Sequence, residues 1–228
     1  MYLPQYVIPR CPDKKNETDI ENLIPLNRLF AYPSEPFLQN GGYTILDSGA
    51  YGLYQRGSSI NLNYMKKLSA HYEKYATENV FCVAPDEYLN PIASMSNFIS
   101  WKNSKLFQSV CPVIQSWHEK QIDENCIMKQ VKFYRKNTSQ DRIFFSNNAL
   151  TAGEASFFGL NEIFRKIHQA GFKWIHNLGA GWSLKDIKEW KKFEQLDSMD
   201  SIAYYSTKNI NEFGSLNPFE NVKSICRL

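Results

Sequence analysis

The stretch "VFCVAPDEYLNPIASMSNFISWKNSKLFQSVCPVIQ", residues 80–115, sets two short apolar runs on either side of a helical pattern. "VFCV" and "VCPVIQ" are rich in β-branched or aromatic residues and stop at small, proline or polar residues, as buried strands do. Between them, "PIASMSNFISWKNSKLF" opens on Pro91. Proline is favoured at the first helical position, where its missing N–H has no partner to lose. A strand, a helix and a second buried strand in that order predict a parallel pair joined by a crossover.

The same alternation extends outward. Further runs of this kind are "YVIP" near residue 6, "RLFAY" at 28, "YTILD" at 43, "RIFFSN" at 142, "KWIHNLGAG" at 173 and "MDSIAYY" at 199. Helical patterns fill the gaps from the third run onward. "NLNYMKKLSAHYEKYATE" (61–78) puts Leu62, Met65, Leu68 and Tyr72 on one face. "EKQIDENCIMKQVKFYRK", "LNEIFRKIHQAG" and "SLKDIKEWKKF" follow, with Gly171 as a C-cap and Ser183 as an N-cap. Eight strand candidates alternating with helices predict a compact α/β fold, a single (β/α)8 TIM-type barrel over residues 1–228. The irregular first two connections leave an open doubly wound sheet as the alternative.

Composition narrows the function classes. The net charge of +3 permits a polyanionic partner without demanding one. No apolar run is long enough for a membrane helix, and "MYLPQYVIPR" lacks the layout of a secretory signal, so a cytoplasmic protein is expected. Cysteines at 11, 82, 111, 126 and 226 fit neither a disulfide framework nor a zinc pattern, and reduced, mostly buried thiols are expected. His71, His118 and His176 share no metal-ligand spacing, so packing or surface roles and no metal site are expected. Trp117, Trp174 and Trp190 read as core or groove-lining residues.

Barrel enzymes carry their chemistry on the loops that follow the strands. The strand ends here offer Asp47, Asp86, Gln115, Asn147 or Asn148, and the turn Gly179-Ala180-Gly181. Asp47, ahead of Ser48-Gly49, reads as simple turn chemistry and equally as a functional carboxylate. Asp86 in "APDEY" is also placed to cap the next helix. A buried Gln115 needs partners for several donors and acceptors, supplied by protein or by a ligand. Together, carboxylates, an amide and the aromatic Tyr51 at one mouth suit a flat, hydrogen-bonding heterocycle such as a purine.

The order of motifs resembles that of the tRNA-guanine transglycosylases and their DNA-acting relatives. "LDSGAY" (46–51) is similar to the family's Asp-Ser-Gly-Gly-aromatic segment, "APDEY" to its Asp-Glu segment and "PVIQSW" to its strand ending in Val-Gln-Gly. "NALTAGE" (148–154) resembles a Gly-Gly-Leu-x-x-Gly-Glu loop, "LGAG" (178–181) a Met-Gly-Val-Gly turn, and "LDSMDS" an Asp-x-x-Asp segment. The resemblance implies Asp200 as the nucleophile at the sugar, with Asp197 as its competitor. It implies Asp86 and Gln115 on the edge of guanine, Asp47 as a binding or proton-transfer group, and Tyr51 and Leu178 on its two faces. Asn148, Ala149, Leu150 and Gly179 would bind the base through nearby backbone groups, and Glu154 would influence the contact to the 7-substituent. Asn148 and Ala149 depart from the family's two glycines. No cofactor is implied.

The zinc subdomain of the tRNA enzymes has no counterpart here, since Cys226 alone follows residue 126. The resemblance is therefore strongest to the compact phage-type DNA-guanine transglycosylases, which place 7-deazaguanines such as preQ0 into DNA. It implies DNA as partner, with tRNA as the alternative, and a location in the host bacterial cytoplasm if phage-encoded. Abundant Lys, Asn, Tyr, Phe and Ile fit AT-rich coding. Lys185, Lys188, Lys191 and Lys208 are the candidate phosphate contacts. A homodimer is common in such enzymes. A barrel that binds modified bases or nucleic acid without catalysis is the reading from a different class.

Overall fold

The computed structural model describes residues 5–9, 27–36, 42–118, 121–146, 157–179 and 192–200. The apolar runs become strands: β1 Gln5–Pro9, β2 Arg28–Ala31, β3 Thr44–Asp47, β4 Val80–Val83, β5 Val110–Cys111 and β6 Val113–Gln115. They continue with β7 Trp117–His118, β8 Gln121–Ile122, β9 Arg142–Ser146, β10 Trp174–Leu178 and β11 Ser198–Asp200. The described helices are α1 Ala50–Gln55, α2 Leu62–Tyr75, α3 Pro91–Ser100, α4 Glu124–Asn137 and α5 Phe157–Gln169.

These elements form a mixed α/β fold. The strands of the main sheet run in the order β5-β4-β3-β2-β1-β11-β10-β9-β6, every pair parallel. Its two outer strands, β5 and β6, are neighbours in the chain with only Pro112 between them. Proline has no N–H for a ladder, but the Pro112 carbonyl still accepts from Phe144 N–H at 2.9 Å. The short antiparallel ribbon β7–β8 stands apart.

Alternation along each strand sorts the core. Ile45, Val113 and Phe144 join one apolar cluster with Val7, Leu29, Val83 and Cys111, while their neighbours Leu46, Ile114 and Phe145 join the larger cluster under the helices. Both faces of the parallel strands are thus covered by apolar side chains, which explains their continuous hydrophobic runs. Cys82 and Cys111 are buried free thiols, and burial pushes both up to about 12.

The helix patterns need small corrections. Met65, Leu68 and Tyr72 face the core, but Leu62, at the first position of α2, is 76% exposed. Helix α4 starts at Glu124 rather than 119, because Asp123 accepts from Cys126 N–H and residues 121–122 are strand. Of the helix expected at 183–193, residues 183–191 lie outside the described residues and Lys192 and Phe193 are not helical; the strand residues expected beyond Asp200 also lie outside, as do Cys11 and Cys226. Among the described residues no helix is long and apolar enough to cross a membrane.

Buried hydroxyls and amides on the helices hold the strand ends. Tyr72 Oη of α2 donates to the carbonyls of Leu46 (3.1 Å) and Val83 (2.8 Å), bridging β3 and β4. Tyr134 Oη of α4 donates to Val113 O at 2.9 Å. Tyr72→Phe removes this shared donor from the buried strand ends while keeping the ring, so we expect a loss of about 1 kcal/mol of stability in urea denaturation. An unchanged midpoint would show the bridge to be idle.

Candidate active site

Because the strands are parallel, Asp47, Gln115, Leu178 and Asp200, each the last described residue of its strand, lie at one end of the sheet. Asp86 joins them from the loop after β4. It is 5% exposed, accepts from Ser48 Oγ (2.6 Å) through Oδ1 and from Gln115 Nε2 (2.7 Å) through Oδ2. The helix-capping reading of Asp86 falls, since Asn90 caps α3 by accepting from Ala93 N–H.

Gln115 is held from several directions. Its Oε1 accepts from Leu89 N–H (3.1 Å), and its backbone N–H and C=O are clamped by the Gln130 side chain of α4, each at 2.9 Å. The amide of Gln115 therefore has a fixed direction, with one N–H left beyond its bond to Asp86.

Asp200 is 7% exposed, and its Oδ1 accepts from Gly179 N–H at 3.0 Å. The same oxygen faces His176 Nε2 at 3.1 Å, while His176 Nδ1 lies 2.9 Å from Ser198 Oγ. A carboxylate only accepts, so Nε2 carries a hydrogen and donates to Asp200, while Nδ1 is paired with the Ser198 hydroxyl. Trp174 stacks on the imidazole at 5.5 Å and Phe144 packs edge-on at 5.3 Å, which fixes the ring. Among the described residues, Asp200 Oδ2 has no hydrogen-bond partner. A Ser-His-Asp hydrolase is a poor fit, since Ser198 is fully buried and sits on the far nitrogen from the mouth.

Asp197 is used differently. It precedes β11, accepts from Ile175 N–H at 2.7 Å and lies 3.6 Å from His168 Nε2, at the opposite end of the strands.

Three residues with positive φ feed this site. Gly49 (φ 76) turns its N–H to Asp47 Oδ2 at 3.3 Å, Leu89 (φ 61) to Gln115, and Gly179 (φ 75) to Asp200. A side chain at Gly49 would meet Tyr32 O at 2.7 Å, so glycine is required there for space as well as conformation. Leucine pays no such allowance: the left-handed backbone at Leu89 stores about 1–3 kcal/mol of strain.

The electrostatics separate the carboxyls. Burial, with the nearby Asp86 and Asp200 carboxylates, pushes Asp47 from 3.8 up to about 7, against the opposing N–H groups of Gly49 and Ser48. Burial raises Asp86 to about 6, although the bonds from Ser48 and Gln115 oppose it. Asp47 thus holds its proton far more tightly than an ordinary carboxyl, beside an Asp200 supplied with donors.

The sequence reading anticipated Asp47, Asp86, Gln115, Leu178, Gly179 and Asp200 at one mouth. Tyr51 follows in the first turn of α1, 42% exposed, its ring edge-on to Tyr88 at 5.1 Å. Asn148, Ala149, Leu150, Glu154 and the four candidate phosphate-binding lysines lie outside the described residues. His176, expected to serve packing or the surface, and Ser198, Ser48 and Gln130 were missed. The signal for His176 was its place two residues before Leu178 on the same face of β10. Among the described residues no group of three or more His, Cys, Asp or Glu is arranged to hold a metal ion.

No known family model matches the chain, and no curated protein matches it in sequence. The functional reading rests on the motifs and on this geometry.

A carboxyl whose folded pKa lies above its unfolded value binds its proton more tightly when folded, so stability present at low pH is lost as pH rises through the folded value. For Asp47 and Asp86 that window runs from about pH 4 to about pH 7. We expect Asp47→Asn to flatten the fall in denaturation midpoint between pH 5 and pH 8. At pH 8 it should exceed the wild type by about 1–3 kcal/mol, less than the full linkage because Asp47 keeps some solvent contact. Parallel pH profiles for the two proteins would refute the assignment.

Proposed function

We propose that this chain exchanges guanine for a 7-deazaguanine in DNA, through a covalent intermediate on Asp200, and that its sheet closes into a single (β/α)8 barrel. Closure is supported at Pro112, where β5 and β6 become one broken strand paired to β4 on one side and β9 on the other. Counting them as one leaves eight strands of the nine in the main order. The observation that carries the chemistry is the contrast at the mouth. Among the described residues, Asp200 takes two N–H donors on one oxygen and none on the other, while burial raises the Asp47 carboxyl to about 7.

In this reading Asp86 accepts from the N–H groups on the guanine edge, and the remaining N–H of Gln115 donates to the ring carbonyl. Tyr51 and Leu178 cover the two faces. Asp200 Oδ2 attacks C1′ as the bond to the purine nitrogen breaks, and the bonding pair leaves with guanine. Protonated Asp47 gives its proton to the departing base. The incoming 7-deazaguanine surrenders its ring N–H proton to Asp47, its nitrogen attacks C1′, and the pair of the C1′–O bond returns to Asp200. Two displacements retain the sugar configuration. DNA is the polymer we assign and tRNA the alternative, and the assay below separates the two. Duplex DNA would require the guanine to leave the stack, at a cost of a few kcal/mol.

Incubation with labelled guanine or preQ0, offering DNA and tRNA separately, tests the reading. We expect label in DNA alone, an adduct that survives denaturation, and loss of both by at least about a thousandfold in Asp200→Asn. Label in tRNA alone would change the polymer; label in neither, with strand binding intact in Asp200→Asn, would leave a non-catalytic binder.

His176 acts on this chemistry by positioning Asp200. His176→Phe should lower kcat about 10- to 100-fold with the KM for free base unchanged, the worth of one hydrogen bond to a charged group. His176→Gln, which keeps an N–H near the Nε2 position, should recover most of it. Equal losses in the two variants would reduce His176 to packing.

A further inference from the structure

The rim beside the carboxylates carries the large apolar side chains that stand exposed among the described residues: Tyr51 (42%), Tyr54 (51%), Leu62 (76%) and Ile92 (74%). All lie on the connections that leave the C-terminal ends of β3 and β4, on α1 and at the starts of α2 and α3. Glu87 ties these connections together by accepting from Ile60 N–H at 3.1 Å. Exposed apolar side chains cost free energy in water, and those that follow the strands ending at Asp47 and just before Asp86 point to a ligand that covers them.

Its chemistry selects the ligand. Tyr54 and Tyr88 pack with ring centroids 4.7 Å apart at 56°, and Tyr88 in turn packs edge-on against Tyr51 at 70°. The rings therefore touch in the order Tyr51, Tyr88, Tyr54, from the first turn of α1, just after Asp47, to the exposed end of that helix. Arg56 caps the C-terminus of the same helix and folds back over it, its Nη1 3.4 Å from the place a side chain on Gly52 would occupy. Its charge also reaches Tyr64, whose hydroxyl donates to Ser48 O beside the carboxylates. Flat rings with a guanidinium alongside are the pairing by which proteins hold an unstacked base and its phosphate.

We propose that Tyr54 and Tyr88 form a stacking platform for the unpaired base next to the target guanine, with Arg56 on the intervening phosphate. The proposal rests on the exchange reading for the identity of the neighbouring pocket, and adds that the substrate is gripped as a single strand at this position. Tyr51 then separates the two seats, one face of the aromatic run serving the target base and the far end its neighbour.

The test is fluorescence titration with a short single-stranded deoxyoligonucleotide holding one guanine, with 2-aminopurine placed either beside it or several bases away. We expect quenching of the adjacent probe only, and tighter binding of the single strand than of its duplex. Tyr54→Ala should weaken binding about 5- to 100-fold, whereas Tyr54→Phe should not. Arg56→Gln should weaken it and reduce the salt slope by about 0.7. Both variants should unfold at the wild-type midpoint, since both side chains are exposed, and Tyr54→Ala should bind free guanine as the wild type does. Wild-type strand affinity in Tyr54→Ala and Arg56→Gln would overturn the platform. So would a Tyr54→Ala variant that loses self-association but not strand affinity, which would assign the face to a second copy of the chain. If free guanine fails to bind the wild type while strand binding still depends on Tyr54, the exchange reading fails and the platform stands.

Discussion

Holding carboxyl groups away from water at one end of a parallel sheet is the constraint on which the rest of this structure depends. An ionised carboxylate is stable in such a place only if N–H or O–H groups replace its hydration. The chain meets this with backbone as much as with side chains. Gly49, Leu89 and Gly179 each adopt a left-handed conformation, and each turns an N–H into the site. Strain in the turns and polarity in the pocket are therefore one feature seen twice. The compensation is deliberately incomplete at Asp47, where burial and two neighbouring carboxylates outweigh the donors and keep a proton within reach of neutral pH.

The scaffold behind the mouth is built to keep those groups still. Tyr72 joins the ends of β3 and β4, Tyr134 holds β6, and Gln130 clamps the backbone of Gln115 from behind. Each bond comes from a helix under which the larger apolar cluster lies, so the helices fix the strand ends by packing and by hydrogen bonding together. A pocket amide can then point in one direction without its own flexible loop.

Much of this was legible in the sequence, for identifiable reasons. The strand runs were readable because both faces of the sheet are buried, which makes each run continuously apolar and its polar end conspicuous. Gln115 stood out for that reason. Leu62 was misplaced because periodicity marks a helix face and does not mark where the sheet beneath it stops. The start of α4 was misplaced because a polar run before Asp123 resembles a first turn until the cap is seen. His176 was hidden by its type. A lone histidine in an apolar strand packs more often than it works, and only the parallel register of β10 and β11 brings it onto Asp200. The aromatic rim at Tyr54 and Tyr88 was illegible because it joins a helix after β3 to a loop after β4.

Asp197 and Asp200 show what decides a role at a strand end. They are three residues apart and of one type, and the sequence left them as competitors. The fold places them at opposite ends of β11. Asp197 spends one oxygen on Ile175 N–H and faces His168, which makes it a staple between β10 and β11. Asp200 receives Gly179 and His176 on a single oxygen, and among the described residues its other oxygen takes no donor. What distinguishes the two carboxylates is the direction of the strand and the distribution of donors over two oxygens. The same logic separates Asp200 from Asp47, since the exchange we propose needs a nucleophile and a proton carrier, and two carboxyls can divide those roles only when their surroundings differ. A site that treated all its carboxylates alike would hold a ligand, but it would have no means of breaking a bond in one.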